Sequence, residues 1–113
     1  MASPTPGGTC VTVINRFRVP PDVVDKFLAE FERHRSLLSA HDGFLHGTLY
    51  KENTGVGRFS FVNVAVWKSQ KTLEAARSAM GASYAERNTR PDSIYRELGV
   101  ELDIGCYETV LDY

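Results

Sequence analysis

The sequence predicts an α+β fold with an antiparallel sheet and the element order β-α-β-β-α-β, the split βαβ or ferredoxin-like pattern. Three observations predict it. "DVVDKFLAEFERHRSLLSA" and "QKTLEAARSAM" have helical spacing. "CVTVINRFRV", "FLHGTLYKE", "RFSFVNVAVW" and "ELDIGCYETVL" read as strands. "NTGVG" at 53–57 joins the second and third of these strands as a hairpin. Right-handed crossovers then place strands one and three at the centre of the sheet.

Each element follows from its residues. "MASPTPGG" opens the chain with small residues and prolines, so residues 1–9 read as a flexible lead-in to a single domain over 10–113. It has neither a charged nor an apolar region and is no secretory signal. Strand one spans Cys10–Val19 and puts Val11, Val13, Asn15 and Phe17 on one face. Pro20 and Pro21 end it and start a helix. Positions 23, 24, 27, 28, 31, 34, 37 and 38 form that helix's inward stripe, and Gly43 is its C-terminal breaker. Strand two is Phe44–Glu52 and strand three Arg58–Trp67. Ser69 caps a second helix over Gln70–Met80. Residues 81–98 read as a broken helical stretch interrupted by Pro91, and the last strand covers Glu101–Leu111.

Composition narrows the function. The 113 residues are 42% hydrophobic and 24% charged, with a net charge of −1. No basic stripe points to nucleic acid, and no apolar run is long enough to span a membrane. These features predict a cytoplasmic protein. Cys10 and Cys106 fit no metal or redox spacing and read as two buried, reduced thiols. His34, His41 and His46 have no ligand spacing either, so no metal site is expected, and each reads as a surface or helix-end residue.

The most informative residue is an amide in an apolar strand. In "FVNVAVWKS", Phe61, Asn63, Ala65 and Trp67 share one face, and Val62, Val64 and Val66 the other. Both faces must be covered. The helices supply one cover, and a second copy of the chain is the economical cover for the valines. An unpaired buried amide costs about 1–3 kcal/mol. Asn63 therefore bonds a neighbouring loop as a structural amide, or it faces water or a ligand. The valines assign Asn63 and Trp67 to the helix-covered side. Asn15 lies mid-strand on the neighbouring strand and shares their cavity. Tyr84, Arg87 and Asn88 follow the second helix and either close that cavity or serve as packing and solvated surface.

"VTVINRFRV", "HDGFLHGTLY" and "FVNVAVWKSQKTLEA" together resemble the antibiotic biosynthesis monooxygenase family, over roughly residues 11–90. The turn reads "DGF" where the family has a "PGF"-like sequence. The resemblance implies a dimeric α+β barrel, hence a homodimer. It implies a monooxygenase acting on a small polycyclic aromatic polyketide with dioxygen and no metal or prosthetic group, converting an anthrone or phenol to a quinone. Related pathway enzymes instead cleave a ring carbon–carbon bond of an angucycline-type substrate with reduced FMN or FAD, a diffusible cosubstrate supplied by a flavin reductase. The implied catalytic residues are Asn63, Trp67 and Arg87; the strand faces and the inferred cavity add Asn15, Phe61 and Tyr84 as substrate-binding residues. A pocket tyrosine six residues after the tryptophan in such members is Leu73 here.

Two rival readings stand beside this one. "INRF", "VWKSQ" and "DIG" are also similar to the haem-degrading branch of the superfamily, in which Asn15 would be the pocket asparagine. That branch's second tryptophan and haem-ligating histidine correspond to Ala76 and Glu86. The other rival is a non-catalytic ligand-binding or accessory protein of a biosynthetic complex.

Overall fold

The computed structural model describes residues 11–90 and 92–113. The expected lead-in over 1–9, the thiol of Cys10 and the break at Pro91 lie outside the described residues. The elements run β1 (Val11–Arg18), α1 (Val24–Leu38), β2 (Phe44–Lys51), β3 (Phe61–Trp67), α2 (Gln70–Ala85), α3 (Ser93–Glu97) and β4 (Glu101–Tyr107). The strands form one antiparallel sheet in the order β2-β3-β1-β4. This is the ferredoxin-like arrangement, with β1 and β3 central.

Local chemistry sets the helix boundaries. Ser69 accepts a hydrogen bond from the Thr72 backbone N–H while Thr72 Oγ1 accepts from the Ser69 N–H, a reciprocal capping box. Gly43 has φ +93° in the turn after α1, and its carbonyl accepts from Lys68 N–H at 2.7 Å. A Cβ there would lie 2.3 Å from Thr72 Cβ, so only glycine lets this turn meet the start of α2.

The structure moves three boundaries. α2 continues past Met80, through Gly81, to Ala85. Leu73, Ala76, Met80 and Tyr84 recur at helical spacing and are all buried. Their packing outweighs the roughly 1 kcal/mol that a glycine costs a helix. β3 begins at Phe61 rather than Arg58, because Ser60 turns back onto β1: its N–H donates to Phe17 O at 2.8 Å, and its Oγ accepts from Val19 N–H at 3.0 Å. β4 stops at Tyr107, where its ladder with β1 reaches the Thr12–Tyr107 pair. Cys106 is also corrected. It is exposed on edge strand β4 rather than buried, and Arg77 Nη1 donates to its sulfur at 3.6 Å.

The helices cover one sheet face. One core cluster there gathers Phe17, Val19, Phe27, Phe61, Tyr95 and Val100, and a second gathers Val13, Trp67, Leu73 and Ala76. The opposite face carries Ile14, Val62, Val64 and Val66, all half-buried. The Arg16–Asp103 and Arg18–Glu101 ion pairs flank them. Among the described residues, no helix is long and apolar enough to cross a membrane.

Candidate functional site

Asn63 and Trp67 lie on the helix-covered side, as the valine pattern predicts. Ala65 and Trp67, on the same face of β3 as Asn63, are 7% and 1% exposed. β1 pairs with β3 so that Asn15 stands directly opposite Asn63. The two amides therefore sit side by side at the middle of the sheet.

Two adjoining cavities open above them. The larger, about 580 Å³, runs between α1 and β2 and is lined by Phe31, Leu38, Phe44 and Leu49 over Asn63 and Trp67. The smaller, about 210 Å³, lies under α1 and α2. It is lined by Val13, Asn15, His34, Asn63, Trp67 and Arg77, with Leu73 and Met80 among its apolar walls. Leu38, Asn63, Ala65 and Trp67 border both. The larger falls in the usual range for small-molecule sites and has Glu32, Arg35, His46 and Thr48 along its rim, while the smaller brings Asn15, His34, Asn63 and Arg77 together. Phe44 meets the Trp67 ring edge-on at 5.4 Å, fixing the indole as a wall between sheet and cleft.

The amides lack protein partners. Asn15 Oδ1 is buried and accepts no hydrogen bond, and neither Asn63 nor the Trp67 indole has a hydrogen-bond partner among the described residues. A buried acceptor left in this state costs free energy that a ligand's hydroxyl, or a water, would recover.

The other expected site residues are placed differently. Phe61 packs on Phe27 at 5.2 Å within the aromatic core and lines neither cavity. Tyr84 is 3% exposed and stands behind His34 rather than in the cavity wall. Arg87 is exposed just past the end of α2, its guanidinium 5.7 Å from the Tyr84 ring centre, and it lines neither cavity.

His34 corrects the surface reading given to the histidines. His41 does sit at a helix end, with Nδ1 against the Leu37 and Leu38 carbonyls, and His46 is exposed. His34 is half-buried and lines the smaller cavity, its Nδ1 3.1 Å from Tyr84 Oη. Burial holds its imidazole below the ordinary value of 6.5. The signal was present in the sequence, because position 34 belongs to the inward stripe of α1.

Among the described residues, no cluster of three or more His, Cys, Asp or Glu could hold a metal ion. The inward face of α2 carries Leu73, Ala76, Met80 and Tyr84, which offers no imidazole to a haem iron. Glu86 is exposed at the helix end.

Known structures of the same fold include a monooxygenase candidate from Shewanella loihica PV-4. It has a TM-score of 0.75 and 23% identity over 92% of this chain and 97% of that one. A single-substitution variant of SnoaB, a cofactor-independent oxygenase from Streptomyces nogalater, gives 0.72 and 23% over 91% and 95%. A variant of MhuD with two manganese protoporphyrin IX molecules bound per active site gives 0.63 and 23% over 91% and 97%. No curated protein matches the sequence. The model for antibiotic biosynthesis monooxygenases matches residues 10–83. With most of its length matched in this way, the chain belongs to the antibiotic biosynthesis monooxygenase family.

Proposed function

We propose that the protein is a monooxygenase that oxidises a polycyclic aromatic polyketide, of the anthrone or phenol type, to a quinone with dioxygen and no metal or prosthetic group. One observation carries this reading: Asn15, with its buried Oδ1 unmet, and Asn63 stand side by side beside Trp67 under a cleft walled by Phe31, Leu38, Phe44 and Leu49. The cleft between α1 and β2 takes the rings, and the polar edge of the substrate reaches the smaller cavity.

The chemistry balances with the substrate as the electron source. An anthrone loses a proton from its central methylene, and the delocalised anion passes an electron to dioxygen. The radical pair joins to a peroxide, which takes up the proton. Loss of water leaves the second quinone carbonyl, so one dioxygen is consumed and one water released. Excluding water, orienting the rings and donating hydrogen bonds to the developing oxyanion are the tasks left to the chain. Asn63 is suited to the last of these, where one donor is worth about 10²–10³ in rate. Trp67 supplies a flat wall and an indole N–H. In this assignment Phe61 supports the floor through Phe27, and Arg87 acts only through the Tyr84 ring it covers.

The half-buried valines of the outer sheet face support a homodimer through that face; the cytoplasm is the proposed location. A stable folded monomer by light scattering at micromolar concentration would contradict the dimer. Turnover of an anthrone by the purified chain, with and without dioxygen, tests the reaction. Oxygen-dependent quinone formation without flavin is expected. Product formed only with reduced flavin, as a ring-cleaved angucycline, would move the assignment to carbon–carbon cleavage. Binding without turnover would make the protein a carrier.

A further inference from the structure

Behind the amides runs a chain of side chains that the reading above leaves unused. Glu30 on α1 is 9% exposed, and its carboxylate takes both a Nε and a Nη2 hydrogen bond from Arg33, at 3.2 and 2.5 Å. Arg33 Nη2 also donates to Tyr84 Oη at 3.0 Å, and that oxygen lies 3.1 Å from His34 Nδ1. Arginine only donates, so Arg33 uses an acceptor site of the tyrosine oxygen. The tyrosine has one hydrogen of its own to give. Among the described residues, His34 Nδ1 is the acceptor within reach of it. Giving that hydrogen to Nδ1 satisfies both groups, and the bond is assigned that way, from the Tyr84 hydroxyl to Nδ1. A neutral imidazole that accepts at Nδ1 carries its proton on Nε2. That N–H has no protein partner among the described residues, and the ring lines the smaller cavity.

We propose that His34 is a fixed, neutral hydrogen-bond donor to the substrate, its Nε2–H held toward the cavity by the Tyr84–Arg33–Glu30 chain and directed at a carbonyl oxygen of the aromatic ring system. The charged and titratable groups around it are Glu30 and Arg33 on its own helix, with Tyr84 and Arg77 on α2. Burial, the largest influence on the ring, keeps it unprotonated near neutrality.

The placement defines the substrate class further, and this step rests on the oxygenase reading. His34 offers a donor, and Asn15 Oδ1 needs one. The matching edge is a carbonyl with a hydroxyl on the neighbouring ring carbon, as in a hydroxylated anthrone. When an anthrone loses its methylene proton, the negative charge moves to the carbonyl across the same ring. A donor already aimed there stabilises the anion without having to reorient. Tyr84 and Arg33 act as positioning residues.

Two measurements on the full chain test this, neither requiring turnover. The first is nitrogen-15 NMR of labelled histidine, with the His34 signal identified by its loss in His34→Gln. A proton on Nε2, a bare Nδ1 and a ring that stays neutral below pH 6.5 are expected. A proton on Nδ1, or an imidazolium at pH 7, would overturn the proposal. The second uses Trp67, the chain's one tryptophan, which lines both cavities. Its quenching reports binding of a dihydroxyanthraquinone that has a hydroxyl beside a carbonyl. His34→Ala should weaken binding about tenfold, the worth of one neutral hydrogen bond, and His34→Gln should restore most of it. Tyr84→Phe should shift the His34 tautomer signals and weaken binding less. Equal affinity in wild type and His34→Ala, or no binding by wild type, would overturn it. If both measurements succeed and no anthrone is oxidised, the donor stands and the oxygenase reading falls.

Discussion

At one end of the helix-covered sheet face, the rings of Phe17, Phe27, Phe31, Phe61 and Tyr95 close on one another, with centroids from 4.9 Å apart. Two residues along the same strands, Asn15 and Asn63 face each other under open volume. The sheet, the register and the covering helices are shared, so strand geometry does not explain the difference. What differs is the side chains. The aromatic end packs ring on ring, and none of its core residues has a fully buried polar side-chain atom without a partner. The amide end keeps a cavity, an unpartnered oxygen and an imidazole bonded from behind. Ring packing is concentrated at one end, and the unmet buried acceptor lies at the other.

Substitutions sharpen this contrast in decreasing order of size. Phe27 is fully buried against Phe17, Phe61 and Tyr95. Phe27→Ala should cost about 3–5 kcal/mol in denaturant melts, a large share of the roughly 5–15 kcal/mol a domain has. A loss under about 1 kcal/mol would mean that the aromatic end does not anchor the fold. Asn15→Leu should do the reverse. Removing an unmet acceptor should leave stability unchanged or raise it by about 1 kcal/mol, while dihydroxyanthraquinone binding weakens. Destabilisation beyond about 2 kcal/mol would place Asn15 with the structural end.

Acid should act mainly at the amide end, and weakly. His34 is depressed by burial, so the unfolded chain takes up its proton at a higher pH than the folded one. Its contribution is fully present above pH 6.5 and is lost as pH falls below that value. Melting temperature should therefore drop on acidification from pH 7.5 to 5, and His34→Gln should flatten part of that drop. Identical pH profiles for the two proteins would remove His34 from the buried set.

The fold was legible because its signals are local and mutually consistent. Proline, glycine and serine mark the helix ends, and alternation assigns strand faces. Period two puts Asn63 and Trp67 on one face, the valines opposite assign that face to the helix side, and the strand order adds Asn15. Tyr84 and Arg87 could not be placed, because their positions depend on how far α2 runs past Gly81, which packing of Met80 and Tyr84 decides. His34 is harder to read, because metal-ligand spacing points it to the surface while the stripe it occupies points it inward. Its role rests on Tyr84, fifty positions away, a pairing visible only after folding.

If the amides serve a ligand and not the fold, Asn63→Ala separates the two roles when melting temperature and anthrone turnover per folded molecule are measured on the same preparation. Turnover should fall about 10–1000-fold, up to the range for loss of one oxyanion donor, with melting temperature nearly unchanged. A lowered melting temperature with turnover per folded molecule intact would make Asn63 a structural amide with no part in catalysis.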